Sequence, residues 1–274
     1  MTGEAPGWPL VGTRALLSAT ARHLRGRDGY LMVLAHMRSG STVLAHILGS
    51  HPDIAAVGET HHPYRRPADL IRLAYTLMRL RNLGRLPRWA LEKALDVGQV
   101  HASVLADRRV RVVLLTRRPG PAVASALTDV PDAFGPGIDP ADLEARAFRY
   151  LLTRYGELAA AGRLLGERAF ALDYQDLVEA PDATLAVLTA WLGLDPPLTR
   201  HYVVDAFTGR PGLGDPSAEI KTGWFDPTIR PPLVPPSGPL DVRSLARAEV
   251  AYAALRGALA GCVSPSSGHP FGRP

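Results

Sequence analysis

Several residue types are scarce in this chain of 274 residues, and each scarcity excludes a class of protein. Its single cysteine, Cys262, rules out an internal disulfide framework and leads us to expect a reducing, cytoplasmic location. Lysine occurs only twice and aromatic residues make up 7% of the chain, without the basic tail or stacking motif of an RNA-reading domain. No apolar run approaches the length of a membrane span, and no secretory signal pattern is present. We therefore expect neither a membrane-spanning nor a nucleic-acid-binding protein.

The basic residues are almost all arginines, and they are scattered along the chain. The formal net charge of +5 suits an anionic ligand. Hydrophobic residues make up 46% of the chain, which is enough for one large core. We predict an N-terminal extension over residues 1–29, with a surface helix over Leu10–Arg25, and a single domain over residues 30–274. Within that domain, the Gly- and Pro-rich stretch 209–239 predicts an irregular loop or lid, and residues 240–260 predict a C-terminal helix.

A strand, a loop of small residues and a helix follow one another between positions 30 and 50. The apolar run Tyr30–Ala35 predicts a buried strand, and a helical pattern begins after Ser41. This arrangement builds an anion site, because free backbone N–H groups and the helix dipole meet at the loop. Against the nucleotide-binding pattern GxxxxGK[ST] the match is partial: Ser41 stands at the Lys, Thr42 keeps the hydroxyl, and the cation has moved upstream to Arg38. The loop therefore predicts a phosphate-like ligand other than Mg-ATP.

The rest of the chain alternates strand-like and helix-like patterns, which predicts a parallel sheet covered by helices on both faces. The predicted strands are Tyr30–Ala35, Ile54–Val57, Val110–Thr116 and Phe170–Leu172. The predicted helices are the segment after Ser41, Pro67–Arg81, Pro87–Ala94, a segment that follows Pro121 and runs through Ser125, Pro140–Leu165 with Asp139 as its cap, Leu185–Leu192 and Leu240–Leu259.

A second strand-to-helix junction carries another group suited to phosphate. Arg117 ends the predicted strand Val110–Thr116, and Ser125 lies eight residues further on, inside the following helix. A guanidinium can bind a phosphate as a bidentate fork, and a helix hydroxyl can add a third contact. Both junctions fall at the carboxyl ends of parallel strands, where open α/β sheets bind ligands. We expect the two junctions to serve one ligand.

Together these motifs resemble those of the sulfotransferases that use 3′-phosphoadenosine 5′-phosphosulfate (PAPS). The loop Arg38-Ser39-Gly40-Ser41-Thr42 is similar to their 5′-phosphosulfate loop, and Arg117 with Ser125 is similar to their 3′-phosphate pair. Tyr174, in a segment similar to the family's Y-E-D-L, would lie near the adenine. The residues between Arg117 and Ser125 depart from the family pattern at positions 118, 120 and 121. The resemblance implies a P-loop-like three-layer α/β/α fold with a central parallel sheet, and PAPS as co-substrate without a metal.

An acceptor hydroxyl must lose its proton during sulfuryl transfer, so a general base is expected beside the loop. Glu59 is our first candidate, because it follows a short strand and resembles the Glu base of tyrosylprotein and several carbohydrate sulfotransferases. His101 is the alternative, by similarity to the Lys-x-His of cytosolic sulfotransferases, although Gln99 replaces the Lys, so that cation is missing. A late loop often folds over the nucleotide in this family, which makes Ser217 and Lys221 candidates for contact with the 3′-phosphate.

The expected activity is sulfuryl transfer to a hydroxyl of a small molecule or a carbohydrate, with Arg38 stabilising the charge on the departing phosphate. A P-loop nucleotide kinase is one alternative, although it would need the Walker lysine and acidic magnesium ligands that the sequence does not show. A catalytically idle nucleotide-binding protein is the other alternative. The nine histidines are scattered and predict no metal site.

Overall fold

Alternating side chains of the first strand enter two separate hydrophobic cores, and this alternation determines the architecture. Tyr30, Met32 and Leu34 pack into one core, whereas Leu31 and Val33 pack into the other. Successive side chains of a strand point to opposite faces, so a strand that is apolar at every position needs cover on both faces. The computed structural model describes residues 29–83, 86–204, 208, 219–228 and 238–265. The predicted helix Leu10–Arg25 and most of the predicted loop 209–239, including Ser217, lie outside the described residues.

The described residues form a sheet of five parallel strands. The strands are β1 (Gly29–Ala35), β2 (Ile54–Ala56), β3 (Trp89–Ala94), β4 (Val110–Thr116) and β5 (Ala169–Asp173). Their order across the sheet is β2-β3-β1-β4-β5. Leu34 is in register with Ala94 of β3 and with Leu114 of β4, so the carboxyl ends of the three central strands lie side by side.

Helices cover both faces of the sheet. They are α1 (Ser41–Gly49), α2 (Asp69–Leu80), α3 (Ala102–Leu105), α4 (Pro119–Asp129), α5 (Pro140–Leu165), α6 (Tyr174–Glu179), α7 (Pro181–Leu192) and α8 (Val242–Ala258). The core on one face is formed with α1 and α7, and the core on the other with α2, α4, α5 and α8. The predicted three-layer α/β/α fold with a central parallel sheet is therefore confirmed.

One predicted element is wrong: Pro87–Ala94 is not a helix. Residues Trp89–Ala94 form β3, which lies between β2 and β1. All six residues are buried, including Glu92 and Lys93, which a surface helix would have exposed to water. Leu, Ala, Glu and Lys favour helices intrinsically, but pairing of this segment with β1 over six residue pairs overrides that preference.

The predictions for β4 and α5 are confirmed residue for residue. Helix α5 begins at Pro140, and the Asp139 side chain accepts a hydrogen bond from the Ala141 N–H at 2.9 Å. Gly193 follows α7 with φ of 62°, in the left-handed conformation that terminates many helices. No helix in the described ranges combines the length and the apolar character that crossing a bilayer requires.

Candidate active site

The loop after β1 turns sharply and leads into α1. Arg38 and Gly40 have positive φ angles of 60° and 88°, and the Ser39 hydroxyl donates to the His36 carbonyl at 2.7 Å. The N-cap residue of α1 is Gly40, which has no side chain to cap the helix, so the first amide N–H groups of α1 lie at the positive end of the helix dipole without a local cap. The loop therefore has the backbone geometry that the predicted phosphate site requires at a helix N-terminus.

Tyr174 closes one side of this loop. A Cβ atom built on Gly40 would lie 2.5 Å from Cδ2 of the Tyr174 ring, so only glycine fits at this position. The guanidinium carbon of Arg117 lies 4.5 Å from the centroid of the same ring, a cation–π contact. Tyr174 thus packs between the phosphate loop and the second junction.

Arg117 joins the two junctions directly. Its Nη1 donates to the Arg38 carbonyl at 2.8 Å, and its backbone N–H donates to Nε2 of His36 at 3.1 Å. Burial lowers the pKa of the Arg117 guanidinium, which still remains a cation at neutral pH. His36 is fully buried, and burial lowers its pKa to about 4, so it accepts this bond as a neutral imidazole.

The side chain of Arg38 points to the second junction as well. Its Nε donates to the Ser125 hydroxyl at 2.9 Å, and its Nη2 lies 2.7 Å from Oδ2 of Asp129. The Ser125 hydroxyl in turn donates to the same Asp129 oxygen at 2.8 Å. Residues 87 positions apart are thereby brought into one cluster. Sequence reasoning missed Asp129, although its position one helical turn after Ser125 was a usable signal.

A buried ion pair lies on the other side of the loop. Nζ of Lys93 is 2.7 Å from Oε1 of Glu59 and donates to the Thr42 hydroxyl at 3.0 Å. The side chains of Lys93 and Glu59 are 1% and 10% exposed. Through Lys93, the structure places Glu59 next to the loop and pairs it with a cation.

Lys93 is a second cation beside the loop, distinct from the lysine position that Gln99 occupies. The Gln99 side chain is buried and accepts from the Asp96 N–H. The helix predicted for Pro87–Ala94 gives no indication of this placement of Lys93. Once the segment is a strand beside β1, Lys93 lies at the carboxyl end of the sheet, where the loop is.

Glu92 anchors the segment that follows Glu59. It is fully buried and accepts hydrogen bonds from the Tyr64 hydroxyl and the Thr60 hydroxyl, both at 2.9 Å, and from the Thr60 N–H at 3.3 Å. Burial, reinforced by the nearby Glu59 charge, raises the pKa of Glu92 to about 7. These bonds fix the chain directly after the candidate base.

The remaining candidates lie elsewhere. His101 is exposed and caps α3, with its Nδ1 accepting from the Ser103 N–H at 3.2 Å, so its contacts among the described residues do not include the loop. Lys221 is exposed and ends a short 3-10 turn. Within the described ranges, no group of three or more His, Cys, Asp or Glu side chains could hold a metal ion.

An open cavity of about 40 Å³ reaches Lys93 and Thr42 from the side of β2. Its walls are mainly one face of α1 and the chain after β2. The lining residues are Thr42, Ala45, His46, Gly49, Ala56, Val57, Gly58, Arg81, Lys93, Val203 and Thr208. Apolar side chains and the basic side chains of Arg81 and Lys93 both contribute to this lining, so the cavity offers a mixed approach to the loop.

The sequence matches no family model and no curated protein. Among solved structures, the chain is similar to the sulfotransferase domain from the curacin biosynthetic pathway, with a TM-score of 0.57 and 17% identity over 82% of this chain and 98% of that domain. It is also similar to sulfotransferase STF1 of Mycobacterium tuberculosis, with a TM-score of 0.46 and 17% identity over 66% and 72% of the two chains. A third similar structure is mouse sulfotransferase SULT7A1 complexed with PAP, with a TM-score of 0.37 and 16% identity over 67% and 65%. The overlap with the curacin-pathway domain shows that this chain has the sulfotransferase fold.

Proposed function

We propose that this protein transfers the sulfuryl group of PAPS to a hydroxyl of a small-molecule or carbohydrate acceptor. The observation that carries the proposal is the direct contact between the two phosphate motifs, in which Arg117 donates to the Arg38 carbonyl and Arg38 donates to Ser125. A ligand with phosphate groups at both ends of a ribose would engage both motifs at once. PAPS has this distribution of charge, and ATP does not.

In this proposal the donor nucleotide lies along the carboxyl edge of the sheet. The 5′-phosphosulfate binds the loop from Arg38 to Thr42, where backbone amides and the helix dipole favour an anion. The 3′-phosphate binds Arg117 and Ser125, and the adenine lies near Tyr174. The Tyr174 ring already packs on the Arg117 guanidinium, so both groups are held in place before the nucleotide arrives.

The proposed chemistry is an in-line displacement at sulfur. Negative charge grows on the departing phosphate, and Arg38, the loop amides and the Lys93 ammonium would stabilise it. Lys93 is suited to this role because its Nζ already contacts the Thr42 hydroxyl within the loop. Its burial removes competing water, which strengthens its interaction with the developing charge.

Glu59 is the proposed general base. Its carboxylate lies 2.7 Å from Lys93 and belongs to a segment fixed by Glu92, so it is held beside the loop. The cavity is lined by Lys93 and not by Glu59 itself, so an acceptor entering there would meet Lys93 first and the carboxylate that Lys93 contacts directly behind it. His101 remains the alternative base, although it caps α3 and is exposed to solvent.

Nucleotide binding tests the proposal. We expect 3′-phosphoadenosine 5′-phosphate (PAP) to bind without magnesium and about 10- to 100-fold more tightly than 5′-AMP or ADP, because each hydrogen bond to a charged group contributes about 1.5 to 3 kcal/mol. Arg117→Ala should remove most of this preference, as measured by calorimetry.

The matched control is Arg118→Ala, which removes the same charge from the adjacent, exposed position. It should leave PAP affinity within about twofold of the parent. A preference for Mg-ATP would favour the nucleotide kinase instead, and tight PAP binding without turnover on any acceptor would favour the idle binding protein.

A further inference from the structure

The two donors assigned to the nucleotide's phosphates already hold an anion, and it belongs to the protein. One oxygen of Asp129 accepts from Nη2 of Arg38 at 2.7 Å and from the Ser125 hydroxyl at 2.8 Å. Both donors converge on a single carboxylate oxygen, as they would on a phosphate oxygen. The position proposed for the 3′-phosphate is thus partly filled by a side chain.

The location of Asp129 in the fold makes this contact unusual. Asp129 is the last residue of α4, and the last turn of that helix contains no basic residue. An acidic side chain at a helix C-terminus lies at the negative end of the dipole, which disfavours it there. Its contacts with Arg38 and Ser125 offset this cost, so Asp129 is held in place by the same groups that a nucleotide would use.

A phosphate and a carboxylate cannot share these donors without strong repulsion between like charges. Arg38 is the less exposed partner, at 14%, whereas the Asp129 side chain is 34% exposed and can turn outward. The exposed carboxylate is therefore the group that would move when a phosphate enters.

We propose that Asp129 is an internal anion that fills the 3′-phosphate position in the free protein, and that the nucleotide must displace it on binding. This inference rests on the proposed function, because it takes Ser125 and Arg117 as the 3′-phosphate site. The carboxylate lowers the affinity for every ligand with a 3′-phosphate, and its return speeds the release of the product PAP. Product release, and not the chemical step, limits turnover in many enzymes.

The test compares Asp129→Asn with Asp132→Asn. The first variant keeps the size of the side chain and removes its charge, whereas the second removes one charge from an exposed residue three positions further on. We expect Asp129→Asn to bind PAP about tenfold or more tightly and to release it correspondingly more slowly in stopped-flow measurements. Its gain in affinity for 5′-AMP should be clearly smaller, because 5′-AMP can engage Arg38 but has no 3′-phosphate for Ser125. Asp132→Asn should match the parent with both nucleotides. Asp129→Ser, shorter and uncharged, should reproduce the effect of Asp129→Asn and guards against a folding defect in one variant.

The other possible results distinguish a failure of the Asp129 inference from a failure of the proposed function. If the parent prefers PAP to 5′-AMP but Asp129→Asn binds PAP equally or more weakly, Asp129 orders the site instead of competing for it, and only this inference fails. If Asp129→Asn binds both nucleotides more tightly by the same factor, the effect is a general change in charge, and the inference fails again. If the parent does not discriminate the 3′-phosphate at all, the proposed function fails, and this inference fails with it.

Discussion

At the scale of single residues, the site contains a buried ion pair, and removing either partner should lower the stability of the protein. Lys93 and Glu59 are 1% and 10% exposed and lie 2.7 Å apart. Transfer of either charge from water into this environment is expensive, and the partner's charge compensates for it. The pair therefore joins stability to function, because the same two groups are the proposed base and one of the proposed phosphate cations.

A double-mutant cycle on this pair is the residue-scale prediction. Lys93→Met and Glu59→Gln should each destabilise the protein by about 3 to 5 kcal/mol, because each leaves its partner buried without compensation. The double variant should lose clearly less than the sum of the two single losses, as measured by urea unfolding. Strictly additive losses would show that the two charges act independently. All three variants should lose turnover, so stability is the quantity that measures the coupling.

At the scale of the element, the start of α1 needs a glycine for two separable reasons. Gly40 has φ of 88°, and a Cβ there would lie 2.5 Å from the Tyr174 ring. Gly98 has φ of 68°, and nothing lies within 4 Å of a Cβ built on it. A side chain at either position would therefore be strained by the positive φ, but only a side chain at position 40 would also clash with a neighbour.

Replacing each glycine by alanine should separate these two effects. Gly98→Ala should cost about 1 to 2 kcal/mol, the price of the left-handed conformation alone, and leave PAP binding unchanged. Gly40→Ala should cost more and weaken PAP binding, because the loop or Tyr174 must shift to admit the methyl group. Equal destabilisation by the two substitutions, with binding intact, would mean that Tyr174 moves aside freely. Thermal unfolding and calorimetry on both variants provide the comparison.

The same elements show what could be predicted from the sequence. Strand β4 and helix α5 were predictable to the residue, because a mostly apolar run, interrupted by Arg111, and an Asp139-Pro140 cap are local signals. Strand β3 was not, because its residues favour a helix locally and become a strand only by pairing with β1. This difference extends to the site, because a helix over Pro87–Ala94 would not place Lys93 beside the loop, whereas β3 does.

At the scale of the whole molecule, contacts between distant segments decide what the site contains. Lys93 meets Thr42 across 51 positions, and Arg38 meets Ser125 across 87. The sequence predicted the two phosphate motifs because each is compact along the chain. The helical spacing places Asp129 beside Ser125, but the contact of Asp129 with Arg38 depends on how α4 packs against the loop, which the sequence alone does not show.

Two fully buried titratable groups give the fold opposite responses to pH. His36 has its pKa lowered to about 4, so the unfolded chain binds more protons between about pH 4 and 6.5, and stability rises with pH in that window. Glu92 has its pKa raised to about 7, so the folded protein binds more protons between about pH 4.5 and 7, and stability falls as pH rises there. In the shared window, from about pH 4.5 to 6.5, the two slopes oppose each other.

Glu92→Gln should therefore reveal the pH dependence of stability that His36 causes and that Glu92 offsets in the parent protein. The amide cannot titrate, so the stability of the variant should rise as pH increases from 5 to 6.5, where the parent stays nearly flat. The stability of the parent relative to the variant should fall by up to about 3 kcal/mol between pH 4.5 and 7, since each unit of pKa shift corresponds to about 1.4 kcal/mol. Urea unfolding of both proteins at closely spaced pH values measures this difference in unfolding free energy. The contributions of the titrating groups that the two proteins share cancel in it. Parallel stability curves would mean that Glu92 is already ionised in the fold at low pH, with Thr60 and Tyr64 holding its charge.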